Sequence, residues 1–413
     1  MPSIDPDRVM GDLKRLAEFG KYKTGVHRPT YSNDDMAARH WFAGRMADAG
    51  LEPEIDGIGN IIGRGKGSGP CILTGSHLES QNYGGWLDGP LGMVYGLEAA
   101  RAISADPEFA GAVVDVGAWA DEEGHFGILM GSRSFCGEVS EEEVDAAFDP
   151  TRGGLKMRDA LANAGLAGRS RLQYEPNRYI AYLEAHIEQG DWLEASDLRL
   201  GIVTSIVGIW QYRLTFEGVQ NHAGTTRMAI RKDAGVALTR LCCEIERRFP
   251  EVAGPRSVWT TGRITLFPGA PSIIPGQAEM LFQIRDADTA ILERMERTLF
   301  ELVATADAAG PCRVKVEALR KSTPALMDER VQAAFESAAE RRAPGKHTRM
   351  PSGAGHDAQI FSRHMPAGML FVPSIGGISH HWDEDTKEED IILGAQVFTD
   401  AVAELLRTSW TGS

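Results

Sequence analysis

Five short segments combine imidazole, carboxylate and glycine in a way that could hold metal ions. They are Gly75-Ser76-His77-Leu78-Glu79, Gly85-Trp86-Leu87-Asp88-Gly89, Asp121-Glu122-Glu123-Gly124, Glu184-Ala185-His186-Ile187-Glu188-Gln189-Gly190 and Gly377-Ile378-Ser379-His380-His381. Such a donor mixture suits Zn2+, Mn2+, Co2+ or Ni2+; Ca2+ and Mg2+ prefer oxygen throughout. A carboxylate can bridge two of these cations, and a cation pair acidifies the water between them and clamps a tetrahedral intermediate. Adjacent Glu122 and Glu123 suit a division of labour, one carboxylate binding metal and the other taking the proton of the attacking water. Singly, each residue has an ordinary explanation: a lone histidine is commonly a surface or satisfied core group, and a Glu-Glu pair a solvated face. Their repeated placement beside glycine, at the ends of apolar runs, favours a site, because open α/β sheets build sites where strands end.

Those apolar runs are residues 58–63, 71–75 and 113–120, short and bounded by glycine and polar residues, as buried strands are. Helical spacing of apolar residues marks 5–19, 34–49 and 91–103. Strand, helix, strand in that order predicts an α/β fold whose sheet is mixed but largely parallel. From residue 212 the texture changes. Strands at 212–217, 257–266, 277–285 and 313–319 alternate with helices at 233–249 and 290–308, the βαββαβ order of a ferredoxin-like split. After Lys321 the first pattern resumes with a helix at 329–341, a strand at 368–373 and a helix at 392–408. The expected organisation is a catalytic metal-binding domain, 1–211 with 322–413, carrying an inserted lid or dimerisation domain, 212–321, whose outer edge strand is left for pairing.

The chain has 413 residues, enough for two domains with a sizeable core, and 43 basic against 58 acidic side chains give a net charge of −15. That balance argues against nucleic acid and anionic membranes as partners. No apolar run approaches the ~20 residues of a bilayer span. The first residues lack a charged-then-apolar signal layout. The cysteines, Cys71, Cys136, Cys242, Cys243 and Cys312, are scattered without a Cys-x-x-Cys. Neither a disulfide framework nor a thiolate metal site follows from them, and the expected compartment is the reducing cytoplasm.

Taken together, GSHLES, GGWLDGPLG, DEEG, EAHIEQG, GVQNHAGTTRM, IIPG with QIRD, SGAGHDAQ and GISHH resemble, in content and order, the dinuclear-metal M20 amidohydrolases. The branch is that of N-carbamoyl-L-amino acid hydrolases, β-ureidopropionases and allantoate amidohydrolases. The resemblance implies two divalent ions, with His77, Asp88 and His186 on one side, Glu123 and His380 on the other, and Asp88 bridging. It implies Glu122 as general base. It also implies a homodimer in which His222 steadies the oxyanion and Arg285 pairs with the substrate carboxylate, both supplied across subunits. Gly353, in SGAGHDAQ, falls among the implied substrate-binding positions.

Several positions depart from that family. Glu79 stands where an aspartate normally orients the first histidine, and it is expected to keep that task with altered reach. Ile209 replaces a substrate-contacting glutamine, Ser272 an asparagine, and His125-Phe126 stand where an arginine is expected after DEEG. Trp86, Trp192, Trp210 and Trp382 lie within a few residues of the motifs, and large amphipathic rings beside a cleft provide apolar contact area. Such losses of amides and gains of indoles predict a bulky or aromatic N-carbamoyl or N-acyl small-molecule substrate bearing a carboxylate. The rival readings are an aminoacylase or exopeptidase of the same superfamily and a non-catalytic metal-binding homologue.

Overall fold

The structure is a computed structural model that describes residues 1–410; the last three positions of the expected first domain lie outside the described residues. Two compact units are present, Met1–Thr204 with Leu326–Ser413, and Ser205–Ala325.

In the first unit, the fully buried strands Cys71–His77 and Val113–Trp119 pair in parallel, and the helix Pro90–Ala105 lies between them in sequence. Cys71–His77 also pairs in parallel with Tyr179–Ile187, which pairs in parallel with Ala367–Val372. Outside this centre the sheet turns antiparallel: Glu52–Ile55 against Ile61–Arg64, Ile61–Arg64 against Val113–Trp119, and Leu200–Ile206 against Ala367–Val372. The sheet is therefore mixed, parallel at its centre and antiparallel beside it. The chain between Ile55 and Ile61 is too short for a parallel crossover and can make only a hairpin. Several strands have no counterpart among the expected elements, among them Tyr179–Ile187 and Leu200–Ile206. Glu184 interrupts the apolar run of Tyr179–Ile187 with a buried carboxylate. The core packs Leu91, Val94 and Leu97 of the helix with Ile72, Val116 and Leu183 of the sheet, and with Phe398 and Val402 of the helix Glu388–Trp410.

The second unit runs strand Gly208–Glu217, helix Ala234–Arg248, strands Val258–Phe267 and Gln277–Asp286, helix Thr289–Ala309, strand Arg313–Lys321. Its four strands form one antiparallel sheet in which Gly208–Glu217 lies between Gln277–Asp286 and Arg313–Lys321, with Val258–Phe267 at an edge. Along Gly208–Glu217, Trp210, Tyr212, Leu214 and Phe216 face inward onto Leu238, Leu241, Leu292 and Leu299 of the two helices. Period-two alternation covering one face with helices is what a half-buried antiparallel strand requires.

Candidate metal centre

Four parallel strands of the first unit end side by side, and each delivers a residue of the centre. His77 closes its strand, opposite Trp119 on the neighbouring strand. Asp121, Glu122 and Glu123 follow directly after that neighbour. His186 sits near the end of Tyr179–Ile187, opposite Phe371, and the chain leaving Ala367–Val372 leads to His380.

These side chains converge on two groups that share one carboxylate: His77, Asp88 and His186, and Asp88, Glu123 and His380. Asp88 Oδ1 lies 3.1 Å from His186 Nε2 and 3.5 Å from His77 Nε2, while Asp88 Oδ2 lies 3.4 Å from His380 Nε2. Glu123 Oε2 is 3.7 Å from the same His380 nitrogen. Glu122 belongs to neither group; its Oε2 lies 3.7 Å from His77 Nε2. Each buried histidine aims Nε2 inward because Nδ1 is engaged by a backbone carbonyl, Glu79 O at 3.0 Å for His77 and Ile187 O at 2.9 Å for His186. With Nδ1–H donating to a carbonyl, the imidazole in its neutral form carries the lone pair on Nε2, the form a metal ligand needs. The donor set fits a pair of divalent cations, three imidazoles and two carboxylates with one carboxylate shared.

Electrostatics agree with a pocket built for positive charge. Burial pushes the Glu122 carboxyl well above the usual range and raises that of Glu123. Burial opposes a charged His77, yet Glu122 and Asp88 outweigh it and hold the imidazole well above its ordinary value. Burial likewise opposes the Asp88 carboxylate, and the neighbouring His186 and His77 imidazoles overcome it, holding the group well below the usual range.

Backbone conformation is specialised here. Asp121, Gln189 and His380 all have positive φ, 58°, 59° and 53°, a region costly for non-glycine residues and concentrated at functional sites. The Asp121 carboxylate stabilises its turn by accepting Thr30 Oγ1 and the backbone N–H groups of His125, Phe126 and Gly127. Burial pushes its pKa up to about 7. Gly89 has φ +84°, and a Cβ there would lie 2.5 Å from His77 Nδ1, so a side chain after Asp88 would displace the first ligand.

Four residues that the sequence reading did not single out position the ligands. Gln81 donates from its backbone N to Glu123 Oε1 at 3.0 Å and from Nε2 to Glu123 Oε2 at 2.9 Å. Gln189 Nε2 donates to Asp88 Oδ2 at 3.1 Å. Buried Glu384 accepts the backbone N–H of Asp88 at 3.0 Å and the Ser379 hydroxyl at 3.0 Å, tying the two ligand loops together. Arg39 is fully buried, paired with Asp35 at 3.0 Å and with Glu79 at 2.6 Å. Behind His186, the buried His356 packs edge-on at 4.6 Å and holds Ser352 Oγ at 2.8 Å.

Other expected residues are placed differently. The Glu79 carboxylate does not orient His77; its backbone carbonyl does, while the side chain accepts Arg39 and the Glu122 backbone N–H at 2.7 Å. The longer Glu side chain reaches past the histidine to the next loop. His125 is buried against Thr30 Oγ1 at 3.0 Å. Gly353 is an exposed turn residue, and a Cβ there would meet nothing within 4 Å. Trp86 is half-buried against the core of the first unit, and Trp210 is 7% exposed in the core of the second. Both indoles pack against a core: Trp210 alternates inward on its strand, whereas its neighbour Ile209 is less buried. Trp192 is exposed at the start of the short helix Trp192–Ala195. Trp382 is half-exposed among other rings.

In the second unit, Ile209 lies directly across the strand pair from Arg285. Burial, with Arg320 nearby, lowers the Arg285 pKa. His222 lies across a short ladder from Ile273, beside Ser272, whose carbonyl accepts the Ala223 backbone N–H at 2.9 Å. His222 Nδ1 accepts the N–H groups of Gly224 and Thr225 at 3.0 and 3.2 Å. That acceptance leaves the ring proton on Nε2, a donor for an incoming oxygen.

Comparison with known proteins gives a consistent answer. Residues 74–404 match the family described as Peptidase family M20/M25/M40. The chain is 32% identical over 411 residues to an N-carbamoyl-L-amino acid amidohydrolase of Geobacillus stearothermophilus, covering 97% of this chain and 99% of that one. It is 34% identical over 401 residues to an allantoate amidohydrolase of Bacillus subtilis, covering 95% and 96%. A crystal structure of a hydantoinase/carbamoylase-family amidase from Burkholderia phymatum superposes with a TM-score of 0.92 at 45% identity, covering 99% of both chains. With the motifs, the two-group centre and these relatives in agreement, the chain belongs to peptidase family M20/M25/M40 and is an amidohydrolase of that family.

Proposed function

We propose that the protein hydrolyses the ureido C–N bond of an N-carbamoyl amino acid, with two divalent cations of the Zn2+, Mn2+, Co2+ or Ni2+ class held by the two ligand groups. One observation carries this reading: Asp88 offers one carboxylate oxygen to each group, while Glu122, one residue from a ligand, belongs to neither. His77, Asp88 and His186 would hold one cation, and Asp88, Glu123 and His380 the other. When bound, the pair supplies Lewis acidity to a carbonyl oxygen and lowers the pKa of water.

The chain's own residues do the remainder. Glu122 takes the proton from the attacking water, whose oxygen bonds to the ureido carbon. As the bond from that carbon to the amino acid nitrogen breaks, Glu122 returns the proton to the departing nitrogen. The other product, carbamic acid, decomposes to carbon dioxide and ammonia. Strand-end backbone and the buried carboxylates Glu79 and Glu384 keep these groups in register, which is where positioning contributes to rate.

The finer assembly belongs to the same proposal. We read the second unit as a ferredoxin-like lid and dimerisation domain, supported by its β–α–β–β–α–β order and by its edge strand Val258–Phe267. That strand exposes Val258, Ile264, Leu266 and Phe267; an uncovered apolar edge is a template for pairing with a second copy. In the homodimer, His222 would donate Nε2–H to the developing oxyanion, and Arg285 would clamp the substrate carboxylate, each from the partner subunit. Five free cysteines accord with a reducing, cytoplasmic setting. No helix among the described residues is long and apolar enough to cross a membrane.

The test is ammonia release. After chelation and dialysis, activity on N-carbamoyl amino acids should vanish and return with Mn2+ or Zn2+. Hydrolysis of N-acetyl amino acids or dipeptides without turnover of carbamoyl compounds would replace this reading with an aminoacylase or peptidase.

A further inference from the structure

We infer that Tyr22, Tyr83 and Trp382 form the wall that receives the substrate's side chain, and that this side chain is aromatic. The inference rests on the amidohydrolase reading above and adds the substrate class to it. Three segments of the first unit converge here. The Tyr22 ring lies 4.7 Å from that of Tyr83 and 5.7 Å from that of Trp382.

Both ligand loops carry the cluster. Tyr83 follows by two residues Gln81, which holds Glu123 by backbone and side chain. Trp382 follows His380 by two residues. Two residues of chain span at most about 7 Å, so Tyr83 is rooted within that distance of Gln81, which holds Glu123, and Trp382 within that distance of His380. The N-terminal hairpin is fastened to both loops: Val26 N donates to Gly84 O at 3.0 Å, and Thr24 Oγ1 donates to Trp382 O at 2.6 Å. Lys23 and Tyr83 are held at φ +52° and +58°. Strained backbone of this kind persists where the surroundings over-determine it and clusters at functional sites.

Available faces select the ligand. His27 stacks on Tyr83 at 4.3 Å and 13°, so one face of the phenol is covered, yet Tyr83 remains 46% exposed. The Lys23 ammonium lies 3.5 Å from the centre of the Trp382 ring, covering that indole. A planar ring laid on the open side of Tyr83 extends the stack, with Tyr22 and Trp382 as tilted flanks. An aliphatic chain gains contact area there but no ring–ring geometry.

The experiment uses the Mn2+-loaded protein and two substrates, N-carbamoyl-phenylalanine and N-carbamoyl-alanine. The wild type should favour the phenylalanine compound in kcat/KM. Tyr83→Ala and Tyr83→Leu should reduce the phenylalanine-to-alanine ratio by about fivefold to tenfold, and Tyr83→Phe should retain it. Tyr83→Leu keeps bulk in the loop, so a loss shared by Leu and Ala but spared by Phe reports the planar face and not a folding defect. A ratio unchanged in both variants, or an alanine preference in the wild type, overturns the inference while leaving the carbamoylase reading standing. Calorimetric binding of the same compounds to Glu122→Gln protein decides the case independently of turnover. If the wild type releases ammonia from neither compound, the reaction reading falls, and the binding ratio with and without Tyr83→Ala still supports or overturns the wall.

Discussion

The Glu384 carboxylate accepts the backbone N–H of Asp88 at 3.0 Å, joining positions 296 residues apart in the chain. Its second oxygen holds Ser379, the neighbour of His380. Glu384 therefore sets the relative position of the shared ligand and a ligand of the second group. Gly85 faces the same carboxylate, and a Cβ there would overlap it. Glu384→Ala should weaken metal binding by about tenfold to a hundredfold, as loss of ligand-orienting contacts does. Glu384→Gln, which keeps an acceptor for Asp88 N–H, should lose less. Competition against a chromophoric chelator measures both, and equal affinities in all three proteins would remove Glu384 from this role.

Glu122 has the geometry of a proton carrier outside both ligand groups. Glu122→Gln should retain the metal content of the wild type and lower kcat by about 10²- to 10⁴-fold. Elemental analysis paired with ammonia release checks it. Metal loss in parallel with activity would mean that Glu122 acts as a ligand instead.

Gly89 tests how tightly the centre is packed. Gly89→Ala places a side chain at φ +84° and against His77 Nδ1. The expected result is a destabilisation of about 1–3 kcal/mol from backbone strain, seen in a denaturant melt, together with loss of bound metal. A variant that melts like the wild type and binds metal normally would show that the loop can yield.

What could be read from the chain beforehand was the part that chemistry confines to short segments. His77, Asp88, Glu123 and His186 each stand next to glycine or at the end of a strand, His380 follows the Gly376-Gly377 turn, and their donor types point to a common task. The residues that orient them carry no such local mark. Glu384 lies in the acidic stretch Asp383-Glu384-Asp385, which looks like a solvated surface, and only its burial beneath Gly85 gives it a partner. Asp35 and Arg39 have the i,i+4 spacing of an exposed helix pair, yet both are fully buried and serve Glu79. Trp86 and Trp210 are close to the motifs in sequence, but strand alternation and the core decide which way a ring turns. Tyr22 and Tyr83 carry no local signal because their meeting depends on a hairpin distant in the chain folding back onto the ligand loop.

Metal loading should be coupled to proton release. Without cations, His77, Glu122 and Glu123 are all shifted upward, so each gives up its proton less readily than a solvated group of the same type. His77 must lose its proton to become a ligand, and Glu123 must be ionised, so cation binding expels protons. The sign follows directly: apparent affinity rises with pH until these groups are deprotonated in the free protein. Calorimetric titration of Zn2+ or Mn2+ in buffers of different ionisation enthalpy should show net proton release that diminishes as the pH is raised. Heats independent of buffer would contradict the upward shifts.

The shared-site arrangement is open to a mixing experiment. His222 is exposed on the second unit with Nε2–H free of its own turn, because Gly224 and Thr225 occupy Nδ1. If it acts in a partner's centre, His222→Ala and Glu122→Gln inactivate different members of a pair. Each variant alone should have lost most activity, with a normal melting profile. Unfolded and refolded together, they should form mixed dimers in which one centre combines an intact Glu122 with an intact His222, and activity should reappear above the sum of the two. Activity that never exceeds that sum, with mixed dimers demonstrated by tagged purification, would place His222 within its own subunit's centre or outside catalysis altogether.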